Sequence, residues 1–109
     1  MTIDLKNMPF EEFPHFKGGE KAFHAKMWFD GTTRIMHGLL HPGASIGEHR
    51  HEGNAEILFV LKGKGTVIDD GEPTPVEAGQ CTYCPEGHTH SLVNTSDEDL
   101  EFYACVPKQ

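Results

Sequence analysis

The sequence predicts an all-β sandwich or barrel, and three observations carry that expectation. Short runs rich in β-branched and aromatic residues recur along the chain. Gly, Pro, Asp and Asn clusters interrupt them every eight to twelve residues, the spacing of strands joined by tight turns. Helical periodicity is absent apart from a turn expected near Glu11 and Glu12.

Residues Ala22–Phe29 mix aromatics with polar positions and stop at the turn pair Asp30-Gly31. In Thr33–Leu40, Thr33, Ile35, His37 and Leu39 alternate with Arg34, Met36, Gly38 and Leu40, and the run ends at Pro42-Gly43. His49 and His51 belong to an extended segment that closes in the Glu52-Gly53-Asn54 turn. Glu56–Lys62 is dominated by Ile, Leu, Phe and Val and ends at Gly63. Residues 66–68 stop at Asp69-Asp70-Gly71, and a stretch broken by Pro73 and Pro75 follows. Cys81–Cys84 precedes the Pro85-Glu86-Gly87 corner, 88–94 runs to Thr95-Ser96-Asp97, and 100–106 forms the last strand.

A chain of 109 residues accommodates one domain, 1–109, with a modest core, and no repeat or linker-like run divides it. Such a small core favours completion of burial in a homodimer. Seventeen acidic against nine basic residues give a net charge of −8. That balance disfavours nucleic acid and anionic lipid surfaces, and it argues mildly against a highly anionic substrate unless a local metal reverses the field. No run is long and apolar enough to span a membrane, and the first ten residues lack the basic and apolar regions of a secretory signal, so a cytoplasmic location is expected. Cys81, Cys84 and Cys105 make an odd count and no disulfide framework.

Histidine is the unusual component. Four of the eight histidines fall in two His-X-His pairs, 49/51 and 88/90. Alternate side chains of an extended strand share a face, so His49 and His51 can aim at one point while Arg50 turns away. Folding back through the 52–54 turn brings Glu56 beside them. Neutral imidazoles and one carboxylate leave a bound divalent ion with net positive charge, which polarises a substrate oxygen or acidifies a bound water. Surface or hydrogen-bonded histidines are the ordinary alternative for an isolated pair.

The two segments together have a longer pattern. Gly43, His49, His51, Glu56 and Gly63 recur with intervening gaps of five, one, four and six residues. Gly79, Pro85, Gly87, His90 and Asn94 follow with gaps of five, one, two and three. This pair of motifs resembles the two signatures of the cupin family. The resemblance implies a double-stranded β-helix, or jelly-roll barrel, of six to eight strands with a metal inside, and it implies that His49, His51, Glu56 and His90 are the ligands. It also implies turn roles for the glycines and Pro85 and a structural role for Asn94.

Four protein ligands would close a tetrahedral zinc site, whereas on six-coordinate iron, manganese, cobalt or nickel they leave two adjacent positions for a small molecule. The six-coordinate case is favoured, with iron or manganese ahead of nickel and zinc. The expected function is that of a small-molecule metalloenzyme, either dioxygenase-like or a Lewis-acid isomerase or lyase. The alternative is a non-catalytic module that binds or senses a small ligand or the metal. His88 and Tyr83 are the candidate proton carriers, although the Gly87 corner can rotate His88 outward. Tyr83 and Phe102 are candidate pocket walls, aromatic core packing being the ordinary reading. His37 can line the barrel, a core or surface place being the ordinary reading, and His15, His24 and His41 are placed in turns or on the surface. The two sulfurs of Cys81-Thr82-Tyr83-Cys84 fall on opposite faces of a strand, which weighs against redox chemistry.

Overall fold

A computed structural model describes all 109 residues. Ten strands form two antiparallel sheets: β1 (Glu11–Pro14), β2 (Ala22–Phe29), β3 (Thr33–Leu40), β4 (Ser45–Arg50), β5 (Glu56–Lys62), β6 (Lys64–Asp69), β7 (Glu72–Glu77), β8 (Cys81–Cys84), β9 (Thr89–Val93) and β10 (Leu100–Pro107). One sheet has the order β1-β2-β3-β10-β5-β8 and the other β4-β9-β6-β7. Leu5–Asn7 and Phe16–Gly18 form the only helical turns, both of 3-10 type. The all-β jelly roll is the architecture expected.

Two strands exceed the expected six to eight. Glu11 and Glu12 lie in a strand rather than a helical turn, because β1 pairs with β2 in the register Phe13↔Phe23. The proline-rich stretch after Gly71 is also a strand, β7. Both occupy sheet edges, and both carry proline (Pro14 in β1, Pro73 and Pro75 in β7). A missing N–H breaks no ladder bond on a strand's open side, so proline is tolerated at an edge and forbidden further in.

Alternation builds the interior. In β5, Glu56, Leu58 and Val60 are buried while Phe59 and Leu61 face out. In β3, Met36, Gly38 and Leu40 face in. Phe23, Leu40, Leu100 and Phe102 are completely buried, and each contributes roughly 1.5–3 kcal/mol through apolar burial. The Phe23 and Phe102 rings lie parallel within 4°, their centroids 5.9 Å apart. Phe102 is therefore a core residue.

Two devices then position the site. β5 returns into β6 through Gly63, whose φ of +84° suits glycine and where a Cβ would lie 2.2 Å from the Asp99 carbonyl oxygen. At the opposite end, the Phe16–Gly18 turn rests directly on β4. A Cβ on Gly47 would stand 2.0 Å from the Lys17 carbonyl oxygen, and one on Gly19 would stand 2.1 Å from that of Ser45. This close backbone approach folds the N-terminal segment over the barrel mouth.

Candidate metal and ligand site

β4 and β9 run antiparallel with His49 opposite His90. The ladder shifts register between Ile46 and His49, and at that irregularity the Gly47 carbonyl accepts a 2.8 Å hydrogen bond from His49 Nδ1. His51 lies just past β4, where its Nδ1 donates to Asn54 Oδ1. Both acceptors are oxygens that can only accept, so each ring keeps a proton on Nδ1, and in its neutral form it presents an Nε2 lone pair inward. Glu56 opens β5 on the inward face, and it and His90 are buried.

The four side chains meet. His90 Nε2 lies 2.9 Å from His51 Nε2, 3.2 Å from His49 Nε2 and 2.9 Å from Glu56 Oε1. His51 Nε2 lies 3.2 Å from the same carboxylate oxygen. Burial pushes the Glu56 carboxyl up, but the hydrogen bonds from His51 and His90 outweigh it and hold its pKa at about 2. The carboxylate is thus ionised at neutral pH. The Glu56 hydrogen bond raises His51, whereas burial lowers His49. Lone pairs crowded this closely repel one another unless positive charge sits among them. The donor set therefore fits a divalent cation, which would supply Lewis acidity and open coordination positions.

The separations are also unequal. Four donor–donor distances span 2.9–3.2 Å. No His49 ring nitrogen comes within 4.0 Å of Glu56, although the whole donor set spans 4.8 Å or less. Donors about 2.1 Å from one centre lie roughly 3.0 Å apart at right angles, 3.4 Å apart in a tetrahedron and 4.2 Å apart across an octahedron. Four of the six donor pairs are thus short and the His49–Glu56 pair is long, a spread that six-coordination accommodates and a regular tetrahedron does not.

The sequence-derived residues divide cleanly. His49, His51, Glu56 and His90 converge, whereas His88 and Tyr83 do not join them. Tyr83 pairs with Ile57 on the outer sheet face and is 58% exposed, because its neighbour Cys84 takes the inward parity opposite Glu56. His88 is turned out to Asp70, its Nδ1 2.6 Å from the carboxylate. His37 and His41 likewise bond Glu101 and Asp99. Cys81 is exposed and Cys84 buried, and burial raises the Cys84 thiol to about 11, far from a reactive thiolate. Asn94 is buried and structural: its amide donates to the Leu40 and Glu98 carbonyls and accepts from Ser96.

A cavity of about 490 Å³ opens beside the donors, with His49, His51 and Glu56 in its lining. Phe13, Phe16, Phe23, Met27, Met36 and Ile46 form an apolar wall, with Lys17, Arg34 and Arg50 among the remaining lining residues. Sequence reasoning missed Lys17, whose place arises only when the Phe16–Gly18 turn docks on β4, and Asn54, which reaches back three residues to the His51 ring. Arg34 was visible in principle as the one charge on the parity of Met36 and Leu40. Arg50, although its strand parity differs from that of the histidines, reaches the rim.

The cupin-domain family model matches residues 36–106, a span that contains all four donors. The chain belongs to the cupin family. This cupin is 43% identical over 67 residues to an oxalate-binding protein of Thermotoga maritima, covering 62% of this chain and 55% of that protein. It is 31% identical over 65 residues to a 5-nitrosalicylic acid 1,2-dioxygenase of a Bradyrhizobium species, covering 60% and 31%. A Thermotoga maritima crystal structure described as a "predicted oxalate decarboxylase" superposes with a TM-score of 0.93 at 30% identity, covering all of both chains. The cupin spans about half the length of the curated relatives it matches.

Proposed function

We propose that this cupin holds one divalent metal ion through His49, His51, Glu56 and His90 and binds a small oxygen-donor chelator at the two coordination positions left over. The observation that carries the reading is the unequal spacing of the donors, four pairs at 2.9–3.2 Å and His49 more than 4.0 Å from Glu56. That spacing favours iron or manganese, with cobalt and nickel compatible, over a closed tetrahedral zinc site. A relative named for oxalate binding supports a chelating ligand.

Oxygen-dependent turnover is the second reading, favoured by the dioxygenase relative and by the adjacency of the two positions, which admits an organic ligand and dioxygen side by side. Proton-transfer catalysis by His88 or Tyr83 has less support, since both side chains lie outside the cavity. Metal analysis after loading with Mn(II) or Fe(II) and desalting tests the proposal. Near one equivalent per wild-type chain is expected, lost in His90→Ala and in Glu56→Ala. A wild-type protein that retains no metal would overturn it. Oxygen uptake on candidate ligands separates turnover from binding.

A further inference from the structure

We infer that the chelator is a carboxylic acid with an apolar body of aromatic size, whose charge is recognised by Lys17 and Arg34. The inference rests on the metal-chelate reading and narrows the ligand class.

Charge is the first observation. The chain has only two arginines, and both line this cavity together with Lys17, in a protein of net charge −8. All ion pairs in the fold join a histidine to a carboxylate, and none uses a lysine or arginine. The Arg34 guanidinium instead lies 4.5 Å from the Phe29 ring centre, with one nitrogen 3.4 Å from the Met27 sulfur. An aromatic face and a thioether are weak partners for a group with five directed donors that matches a carboxylate. Of the two acidic residues at the cavity, Glu56 is committed to His51 and His90, and Glu52 is exposed.

Placement is the second observation. Lys17 has φ +55°, uncommon for a residue with a side chain, and its carbonyl is pressed against Gly47. The same Gly47 supplies the carbonyl that orients His49. One backbone contact thus ties the lysine to the metal-ligand framework.

Size is the third. A bare two-carbon diacid has six non-hydrogen atoms, which fill at most about 180 Å³ at the roughly 30 Å³ a water occupies. The cavity is about 490 Å³ and apolar side chains make up about half of its lining residues. A 2-oxo or 2-hydroxy acid with a ring fills it: its head chelates, its carboxylate faces Arg34 and Lys17, and its ring lies against Phe13, Phe16 and Phe23.

Calorimetry on Mn(II)-loaded protein tests this with three probes. Phenylpyruvate carries head and ring, pyruvate the head alone, and catechol a ring and chelating oxygens but no carboxylate. Phenylpyruvate is expected to bind about tenfold or more tighter than pyruvate. Arg34→Gln and Lys17→Gln are each expected to weaken phenylpyruvate by about tenfold, with catechol affinity, manganese content and melting temperature unchanged. Equal affinities for the two oxo acids, or variants that leave phenylpyruvate unaffected or weaken catechol equally, would overturn the inference while the metal reading stands. Wild-type protein without manganese would overturn both, and metal analysis of each sample identifies which has failed.

Discussion

Gly38 shows how tightly the core beside Phe23, a residue of the cavity lining, is packed. It lies in β3 opposite Phe102 of β10, and the Phe102 ring spreads across it. A Cβ built there meets three ring carbons at 2.3, 2.5 and 2.8 Å. Ordinary contact begins near 3.4 Å, so Gly38→Ala drives the ring back by about 1.1 Å. Retreat is limited by the surrounding core, in which Phe102 is completely buried and lies parallel to the equally buried Phe23, centroids 5.9 Å apart. Overpacking of this kind costs about 1–3 kcal/mol, and a rigid ring in a closed site belongs near the top of that range. Replacing glycine in a strand returns roughly 0.5 kcal/mol of backbone entropy. A net loss of about 2 kcal/mol follows, or about 8 °C in melting temperature for a domain near 100 residues. Denaturant titration of Gly38→Ala, Phe102→Leu and the double variant measures it. The alanine is better accommodated beside the smaller leucine, so the double variant should recover at least about 1 kcal/mol relative to additivity. A Gly38→Ala protein within about 0.5 kcal/mol of wild type, or strictly additive losses, would refute the packing argument. Since Phe23 also lines the cavity, ligand affinity should fall with stability.

Two further predictions concern groups outside the donor set. Asn54→Ala removes the acceptor that holds the His51 ring and should weaken metal binding by about 10–100-fold, read by competition with a chelator of known affinity; unchanged affinity would mean that Asn54 does not orient the ligand. The His88 hydrogen bond and the Thr89 backbone hold the Asp70 carboxyl below its ordinary 3.8, so its stabilising contribution is present above pH 3.8 and lost as pH falls through the lower folded value. The melting-temperature gap between wild type and Asp70→Asn should therefore shrink as pH falls below about 4, and a gap constant with pH would refute that role.

Legibility in the sequence followed the range of the interactions. The bounds of β2 and β5 were readable because alternation within each strand is local, as are the Asp30-Gly31 and Gly63 turns that end them. β1 and β7 were not, because their acidic residues and prolines are compatible with strands only at an edge, and edge position is a property of the whole sheet. The four donors were legible through two long motifs. Lys17 and Arg34 were not read as partners, since one sits in a turn and the other in β3 and only the docking of Phe16–Gly18 on β4 brings both to one cavity. The net charge of −8 accordingly says little about the ligand: most of the acidic residues lie elsewhere, and the field at the mouth is set by the cations that line it.

The two His-X-His pairs show why spacing alone could not settle the roles of all four rings. In extended backbone, residues two apart share a face, and His49 in β4 and His51 just past its end obey the rule. His88 and His90 do not, because one backbone irregularity lies at their start. In an undisturbed ladder His88 would exchange both hydrogen bonds with His51. Here the His51 N–H bonds the His88 carbonyl at 3.0 Å, but it is the Gly87 N–H that returns to the His51 carbonyl at 2.7 Å. The His88 N–H instead closes the turn back to Pro85 at 3.2 Å. Two residues thus oppose one, a bulge whose first position is glycine with φ +87°. The bulge turns His88 outward to Asp70 and lets His90 enter the barrel in register with His49. Gly87 therefore acts on the site without touching it. Its left-handed geometry is what divides an apparently symmetric pair into one surface residue and one interior donor.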